Sequence, residues 1–252
     1  IPYCAWLSPE ARRIGSVNTI VNDGGLLRGY NTDYFGFVYM LRKAGIDVKG
    51  KKALVLGSGG ASLTVQTALH DIGAKSVTVI SRGGEDNYGN LERHADARLI
   101  VNTTPVGMYP KVEAAPLSLE IFPDCEAVAD IIYNPSRTKL LLDAEARGIP
   151  YANGLPMLVA QAKAAAELFL GQNIPDARID EITSVMEKRT KNIILIGMPG
   201  CGKTTVGKQL ARSLGREFAD TDEIIVKEGG RSIPDIFASE GEAAFRTIEH
   251  SV

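Results

Sequence analysis

The sequence has few of the residues that build disulfide frameworks and zinc sites. Cysteine occurs three times in 252 residues, and no two cysteines form a Cys-x-x-Cys pair. An odd, scattered set of this kind argues against disulfides and predicts a reducing, cytoplasmic environment. The three histidines lie far apart, at positions 70, 94 and 250. They therefore offer no clustered ligands for zinc.

The sequence also lacks a dominant charge and a long apolar run. Its net charge is −2, and this balance gives no reason to expect a nucleic-acid partner. The longest apolar helical segment, residues 155–170, carries charges at positions 163 and 167 and is too short to span a bilayer. We therefore expect small-molecule partners, with no nucleic acid and no membrane. The oligomeric state stays open.

Glycine, by contrast, is plentiful and clustered. The chain has 26 glycines, a share above the usual ~7%. Two clusters, residues 57–62 and 197–205, follow the apolar runs 51–56 and 192–196 and precede helix-like segments. Each is typical of a strand, a glycine turn and a helix. That arrangement presents free backbone N–H groups to a phosphate.

Between the two clusters, strand-like and helix-like segments alternate. The predicted strands are residues 76–80, 98–101, 127–132 and 149–152, and the predicted helices are 138–147 and 155–170. Such alternation predicts βαβ units and a parallel, Rossmann-type α/β sheet. A polar helix over residues 180–189 leads to the second cluster, and we place a domain boundary near 188–191.

The first cluster has the pattern of a dinucleotide-binding loop. Its residues are Gly57, Ser58, Gly59, Gly60 and Ala61. The first glycine permits a tight turn, and the second lets the backbone approach a pyrophosphate. A plain tight turn is the alternative. The next strand ends in Ser81 and Arg82, and a cation there favours the 2′-phosphate of NADP. A solvated loop arginine is the alternative for Arg82.

The second cluster is a complete Walker A pattern. Its candidate ATP-binding residues are Gly197, Gly200, Gly202, Lys203, Thr204 and Thr205. In such a loop the backbone cradles phosphates, the lysine reaches the β- and γ-phosphates, and the hydroxyl after it binds Mg²⁺. A short strand is predicted at 218–222 and ends in the Asp-Thr-Asp sequence at 220–222, and Arg246 precedes Glu249 by three positions. That last spacing alone is typical of a surface pair.

Polar clusters in the first part of the chain resemble the shikimate dehydrogenase family. They are residues 15–19, 29–33, 102–108, 130–135 and 154–162. Each alone is compatible with turns and caps, but together and in this order they resemble that family over about residues 15–171. The resemblance implies NADPH-dependent reduction of 3-dehydroshikimate to shikimate.

The resemblance also implies roles for individual residues. Asp33 matches the catalytic aspartate, which also binds substrate, and the other substrate-binding residues would be Asn18, Tyr133 and Gln161. The cofactor would contact the glycine loop, Ser81, Arg82, Asn102, Thr103, Gly154 and Met157. In the family an aspartate and a lysine form the acid–base pair. A carbonyl that accepts hydride develops negative charge and needs a positioned proton donor. The lysine is expected upstream of Ile1.

The C-terminal segment resembles shikimate kinase from residue 191 onward. The Walker A loop, the Asp-Thr-Asp sequence and the arginine follow in that family's order. The resemblance implies ATP as co-substrate, Mg²⁺ near Thr204 and Asp220, and shikimate bound by Asp222 and Arg246. We expect about the first third of such a kinase, fused to a dehydrogenase that makes its substrate.

Four parts are therefore predicted. They are a truncated end of the shikimate-binding domain (1–35), an NADP-binding Rossmann domain (36–153), helices returning to the substrate domain (154–188) and a partial P-loop kinase α/β unit (189–252). Two alternatives stay open. One is a quinate/shikimate dehydrogenase that prefers NAD. The other is an inactive nucleotide-binding fragment, because the catalytic lysine and most of the kinase are expected outside this chain.

Overall fold

The computed structural model describes residues 1–198 and 200–251. The chain divides into two compact units, Ile1–Thr190 and Lys191–Val252. Within the described residues, none of the helices has both the length and the hydrophobicity of a membrane-spanning segment.

The first unit contains eight strands and six α-helices among its described residues. The strands are β1 (Trp6–Leu7), β2 (Thr19–Asp23), β3 (Leu26–Tyr30), β4 (Lys52–Leu56), β5 (Ser76–Ile80), β6 (Leu99–Asn102), β7 (Ala127–Asp130) and β8 (Tyr151–Ala152). The helices are α1 (Pro9–Ile14), α2 (Thr32–Lys43), α3 (Gly60–Asp71), α4 (Lys139–Ala146), α5 (Leu155–Leu170) and α6 (Ala177–Thr190).

The larger sheet confirms the predicted parallel α/β architecture. Its five strands are all parallel and lie in the order β5-β4-β6-β7-β8. Because side chains alternate along a strand, β4 sends Val55 into the core beneath α2 and α3, and Leu56 into the core beneath α4. Both side chains are fully buried. The sheet is therefore covered on both faces, as parallel sheets require.

A smaller sheet precedes this core. It has three strands in the order β1-β3-β2, with β2 and β3 antiparallel. Helix α2 starts directly after β3 and is capped by Asn31, whose side chain accepts a hydrogen bond from the Tyr34 N–H. Helix α5 crosses α2 closely at Gly36, where an added Cβ would lie 2.6 Å from the Met157 carbonyl oxygen. Only glycine permits this approach.

The second unit is helical in its described part, with α7 (Lys203–Leu214), α8 (Thr221–Gly229) and α9 (Ile233–Ser251), the last interrupted at Gly241. The predicted strands at 192–196 and 218–222 are wrong: neither segment forms a strand, and α8 begins at Thr221. The apolar side chains at 193–196 are exposed, Ile196 by 88%, and Phe218 is half-buried. An extended segment becomes a strand only beside a hydrogen-bonding neighbour, and the described part of this unit offers none. The predicted α/β character of the unit is therefore corrected to mostly helical.

Candidate active site

The glycine loop lies where the order of the larger sheet reverses direction. Strand β4 pairs with β5 on one side and with β6 on the other. From β4 the chain first forms β5 on one side, and it then crosses over to form β6, β7 and β8 on the other side. Leu56 and Asn102, the last residues of β4 and β6, are partners in register. The crevice outside such strand ends is where open α/β sheets bind ligands.

Gly57 makes the turn from β4 into this crevice. Its φ is +100°, and an added Cβ would lie 2.9 Å from Thr104 Cγ2 and 3.1 Å from Thr103 Oγ1. Thr103 in turn donates its hydroxyl to the Leu56 carbonyl oxygen at 2.6 Å. The position therefore needs glycine for both its conformation and its contacts.

Helix α3 begins in this loop with no side chain capping it. Gly59 is the N-cap and makes no side-chain hydrogen bond, and an added Cβ at Gly59 or Gly60 would meet nothing within 4 Å. Ser58, Gly59 and Gly60 are all exposed. The Ser62 N–H bonds to the Gly59 carbonyl oxygen at 3.0 Å, and the open N-terminus of the helix ahead of it is where the helix dipole favours an anion. This geometry fits a pyrophosphate.

Arg82 follows the neighbouring strand β5. Its side chain is exposed, and it lies near the Tyr88 phenol. Burial raises the pKa of Tyr88, and the positive charge of Arg82 partly offsets that rise. Ser81 is half-buried and donates its backbone N–H to the Asp86 carbonyl oxygen at 3.1 Å. A cation thus stands at the sheet edge next to the glycine loop.

Asn102 has a fully buried side chain with every polar atom engaged. Its Oδ1 accepts from Thr104 N at 3.0 Å and from Thr104 Oγ1 at 2.7 Å. Its Nδ2 donates to Asp130 Oδ1 at 3.1 Å and to the Val106 carbonyl oxygen at 3.4 Å. The Asn102 side chain therefore holds the loop after β6 in place through its hydrogen bonds to Thr104 and Val106.

Asp130, at the end of β7, is the other half of that arrangement. It is fully buried. It accepts hydrogen bonds from Asn102, from Ile132 N at 3.0 Å and from Thr138 Oγ1 at 2.7 Å. Burial raises the pKa of this carboxyl, and the three donors, which favour its charged form, offset part of the rise. One carboxylate thus ties together the loops that follow β6 and β7.

Asn18, which precedes β2, fixes the start of α2. Its Oδ1 accepts from Thr32 N at 2.9 Å and from Thr32 Oγ1 at 3.2 Å. Asp33 is the next residue and is half-buried. Burial raises the pKa of Asp33, and the Asn18 side chain, which favours the charged carboxylate, lowers it in part. A carboxyl group whose pKa is raised in this way is a candidate for acid–base chemistry.

The α2–α5 crossing brings further predicted residues to the same place. Gly36 lies one helical turn after Asp33, and a Cβ there would be 3.2 Å from Met157 Cγ and 3.3 Å from Gln161 Cβ. Gly154 is the N-cap of α5 and packs against the loop after β7. An added Cβ there would lie 1.9 Å from the Ile131 carbonyl oxygen. Tyr133 in that loop is 51% exposed.

The Walker A loop of the second unit folds around its own lysine. Lys203 Nζ donates to the carbonyl oxygens of Gly197 and Met198 at 2.8 and 2.9 Å. Gly200 and Gly202 both have positive φ, and Thr205 is exposed. Pro199 of the motif lies outside the described residues. Thr204 donates its hydroxyl to Asp220 Oδ2 at 3.2 Å, so the two residues expected near Mg²⁺ are adjacent.

Asp222 and Arg246 differ in their surroundings. Asp222 lines a cavity of about 480 Å³ between α8 and the start of α9. Arg246 is not among the residues that line it. Instead it pairs with Glu249 at 2.8 Å and with Glu242 at 3.3 Å, and these carboxylates raise the pKa of its guanidinium. Within the described residues, no group of three or more His, Cys, Asp and Glu side chains could hold a metal ion.

Comparison with known proteins decides the family. A shikimate dehydrogenase (NADP(+)) of Moorella thermoacetica is 38% identical over 204 residues, which cover 72% of this chain and 69% of that protein. The chain belongs to the shikimate dehydrogenase family. The family model "Shikimate kinase" matches residues 199–252, so this shikimate dehydrogenase carries part of a shikimate kinase domain at its C-terminal end.

Solved structures agree with this shikimate dehydrogenase assignment. A chorismate mutase/shikimate 5-dehydrogenase fusion protein from Clostridium acetobutylicum has a TM-score of 0.73 and 36% identity, covering 76% of this chain and 74% of that one. The Thermus thermophilus shikimate 5-dehydrogenase, solved with NADP(H) and shikimate, has a TM-score of 0.65 and 38% identity, covering 73% of each chain. The family predicted from the ordered polar clusters is confirmed.

Thr104, Asp130 and Thr138, whose side chains hold the loops of the candidate site through hydrogen bonds, are not among the site residues predicted from the sequence. All three lie in or beside segments whose polar character was visible. The partners of Asp130 lie 28 and 8 positions away in sequence, so the pattern gave no reason to pair them. The available signal was an acidic residue at the end of a buried apolar strand, which needs hydrogen-bonding partners.

Proposed function

We propose that the first unit binds NADP(H) across the glycine loop and reduces 3-dehydroshikimate to shikimate. The observation that carries this is the uncapped N-terminus of α3 behind Gly57, at the reversal of the sheet order. The first turn of α3 would hold the pyrophosphate, and Arg82 would hold the 2′-phosphate. The Thermus thermophilus relative was solved with NADP(H) and shikimate, which supports the same pair of ligands here.

Bound NADPH would supply a hydride to the substrate carbonyl. The residues of this chain would hold the substrate and manage the proton. Asp33, with its pKa raised by burial, would exchange a proton at the substrate oxygen together with the family's lysine. Asn18 and Gln161 would bind substrate hydroxyls, and Tyr133 would cover the substrate from the loop after β7.

The buried amide–carboxylate pair of Asn102 and Asp130 would keep the cofactor-facing loops in place. Asn102 offers no free polar atom to a ligand, so we assign contact with the cofactor to the backbone of that loop and to Thr103. On this proposal residues 1–35 and 154–188 form the substrate side of the site and residues 36–153 the cofactor side. Met157 and Gly154 lie where the two sides meet.

For the second unit we propose part of an ATP site. Lys203 would exchange its two carbonyl partners for phosphate oxygens, and Thr204 with Asp220 would hold Mg²⁺. The support is their existing contact at 3.2 Å and the family model that matches this segment. Asp222 would bind shikimate hydroxyls in the cavity that it lines. Arg246 would exchange its ion pairs with Glu242 and Glu249 for one with the shikimate carboxylate.

The test is shikimate-dependent reduction of NADP⁺ by the full-length protein, followed by the absorbance of NADPH. We expect turnover with shikimate that Asp33→Asn abolishes, whereas Asp124→Asn, which removes an exposed carboxylate that is not among the residues assigned to the site, leaves it intact. Absence of shikimate-dependent turnover in the full-length wild type would contradict the proposal. So would full activity in Asp33→Asn.

An NAD-preferring quinate/shikimate dehydrogenase is the nearest alternative. Enzymes that prefer NAD usually place an acid, not an arginine, on the ribose at this strand end. The exposed Arg82 therefore favours NADP. Running the same assay with NAD⁺ and with quinate separates the two: faster turnover with NAD⁺ than with NADP⁺ supports the alternative.

A further inference from the structure

The loop after β5 is folded by its own hydrogen bonds. The Ser81 N–H donates to the Asp86 carbonyl oxygen at 3.1 Å, which closes residues 82–85 into a short turn at the sheet edge. Gly84 packs against Ser81 so tightly that an added Cβ would lie 2.6 Å from the hydroxyl oxygen. These two contacts constrain the backbone on both sides of Arg82.

Two asparagines complete this frame. The Asn87 amide donates to the Gly84 carbonyl oxygen at 3.2 Å, and the Asn90 amide donates to the Glu85 carbonyl oxygen at 2.8 Å. Asn90 also accepts the Asn87 N–H at 2.9 Å. These bonds join the loop to the short helix that carries His94.

Two acidic side chains lie in this loop beside the cationic one, and they differ in their partners. Glu85 is exposed. Asp86 Oδ1 lies 2.8 Å from His94 Nε2, with the imidazole only 12% exposed. In the part of the chain that the structure describes, Arg82 forms no ion pair with a carboxylate. The nearly buried His94 imidazole thus binds the Asp86 carboxylate, and the Arg82 side chain is exposed to solvent.

We propose that His94 is a positioning residue for cofactor selection. Its hydrogen bond keeps the Asp86 carboxylate away from Arg82, which leaves the arginine free to bind a 2′-phosphate. Without His94, the carboxylate pairs with Arg82 and repels a phosphate, because like charges at a few ångströms disfavour each other. An acid at this strand end is what NAD enzymes use to bind the ribose hydroxyls. The inference rests on the proposed preference for NADP.

The test is calorimetric titration of the chain with NADPH and with NADH. We expect His94→Ala to weaken NADPH binding by about fivefold relative to NADH, as a charge repulsion near a protein surface would. The double variant His94→Ala/Asp86→Asn should return the NADPH-to-NADH ratio to within about twofold of the wild type. His94→Gln, whose amide can still donate to Asp86, should keep the wild-type ratio.

His70→Ala is the matched control, because His70 is an exposed histidine near the end of α3, and it should change neither affinity. Equal weakening of both cofactors by His94→Ala would show a purely structural role and overturn the inference. So would failure of Asp86→Asn to restore the ratio. A wild type that binds NADPH and NADH alike would overturn the NADP preference itself. An NADPH-to-NADH affinity ratio that His94→Ala leaves unchanged would overturn the role of His94 alone.

Discussion

Asp130 accepts a hydrogen bond from the Asn102 amide at 3.1 Å, and both side chains are fully buried. This bond joins the ends of two neighbouring parallel strands, β6 and β7. The loops that leave these strands carry Thr103 and Tyr133, which we assign to the cofactor and the substrate. The positions of both loops therefore depend on one carboxylate beneath them.

The Thr138 hydroxyl should contribute measurably to stability. It donates to Asp130 Oδ2 at 2.7 Å and caps α4. Thr138→Val keeps the shape but leaves a buried carboxylate oxygen without its donor, so we expect a loss of about 1–3 kcal/mol in the free energy of unfolding. Urea denaturation measures this. Thr67→Val, at a hydroxyl that bonds only to the Leu63 carbonyl oxygen of its own helix, is the control and should cost less than about 0.5 kcal/mol.

The close crossing of α2 and α5 should not accept a methyl group at Gly36. An added Cβ lies 2.6 Å from a backbone oxygen of α5, and backbone yields less readily than a side chain. We expect Gly36→Ala to destabilise the protein by about 1–3 kcal/mol and to weaken shikimate binding, because Asp33 and Gln161 flank the crossing. Gly83→Ala, where a Cβ meets nothing within 4 Å, should leave the stability unchanged. Wild-type stability in Gly36→Ala would contradict this packing.

Asp33 should make the protein less stable as the pH rises. Its pKa is raised by burial in the folded state, so the folded state binds more protons than the unfolded state between the two pKa values. Stability therefore falls as the pH rises through that window. Asp33→Asn removes this component, and we expect its stability to fall less than that of the wild type between about pH 4 and pH 7. Urea denaturation at the two pH values provides the comparison.

Asp124→Asn removes an exposed carboxylate and serves as the control for that experiment. The same fall in stability with pH in Asp33→Asn as in the wild type would show that Asp33 is not shifted as described.

Lys203 should carry nucleotide binding in the second unit. Loss of a hydrogen bond to a charged phosphate costs about 1.5–3 kcal/mol, so we expect Lys203→Met to weaken binding of Mg²⁺·ATP at least about tenfold. Calorimetry on the chain measures this. Lys208→Met, at an exposed lysine further along the same helix, should bind as the wild type does. Equal ATP binding by wild type and Lys203→Met would contradict an ATP site at this loop.

The sequence predicted the larger sheet well because its signals are local. The apolar run before Gly57 predicts a strand, and a glycine after a helical segment predicts the end of a helix. Both signals are read from neighbouring residues in the sequence. The helix at 155–170 begins and ends where predicted, since Pro156 lies in its first turn and Gly171 ends it with a positive φ of 64°. Periodicity and turn chemistry determine such elements before any tertiary contact forms.

The sequence failed where the outcome depends on distant partners. The apolar segment at 192–196 has the composition of a strand, but a strand needs a hydrogen-bonding neighbour, and the described residues supply none. Asp130 ends a buried apolar strand, but its role depends on Asn102 and Thr138, which only the folded sheet brings together with it. The pairing of Asp86 with His94 is hidden in the same way, because seven residues, part loop and part short helix, separate the two in sequence.

The most direct test of the account is the affinity of this chain for NADPH and NADH, compared between the wild type and Arg82→Asp. If the loop at Gly57 and the arginine after β5 form an NADP site, the wild type binds NADPH more tightly than NADH. Arg82→Asp then weakens NADPH by about 10- to 150-fold, the loss expected for a charged hydrogen bond, while NADH is nearly unchanged. Arg93→Ala, at an exposed arginine beyond this loop, should match the wild type. An unchanged preference in Arg82→Asp would contradict the central claim.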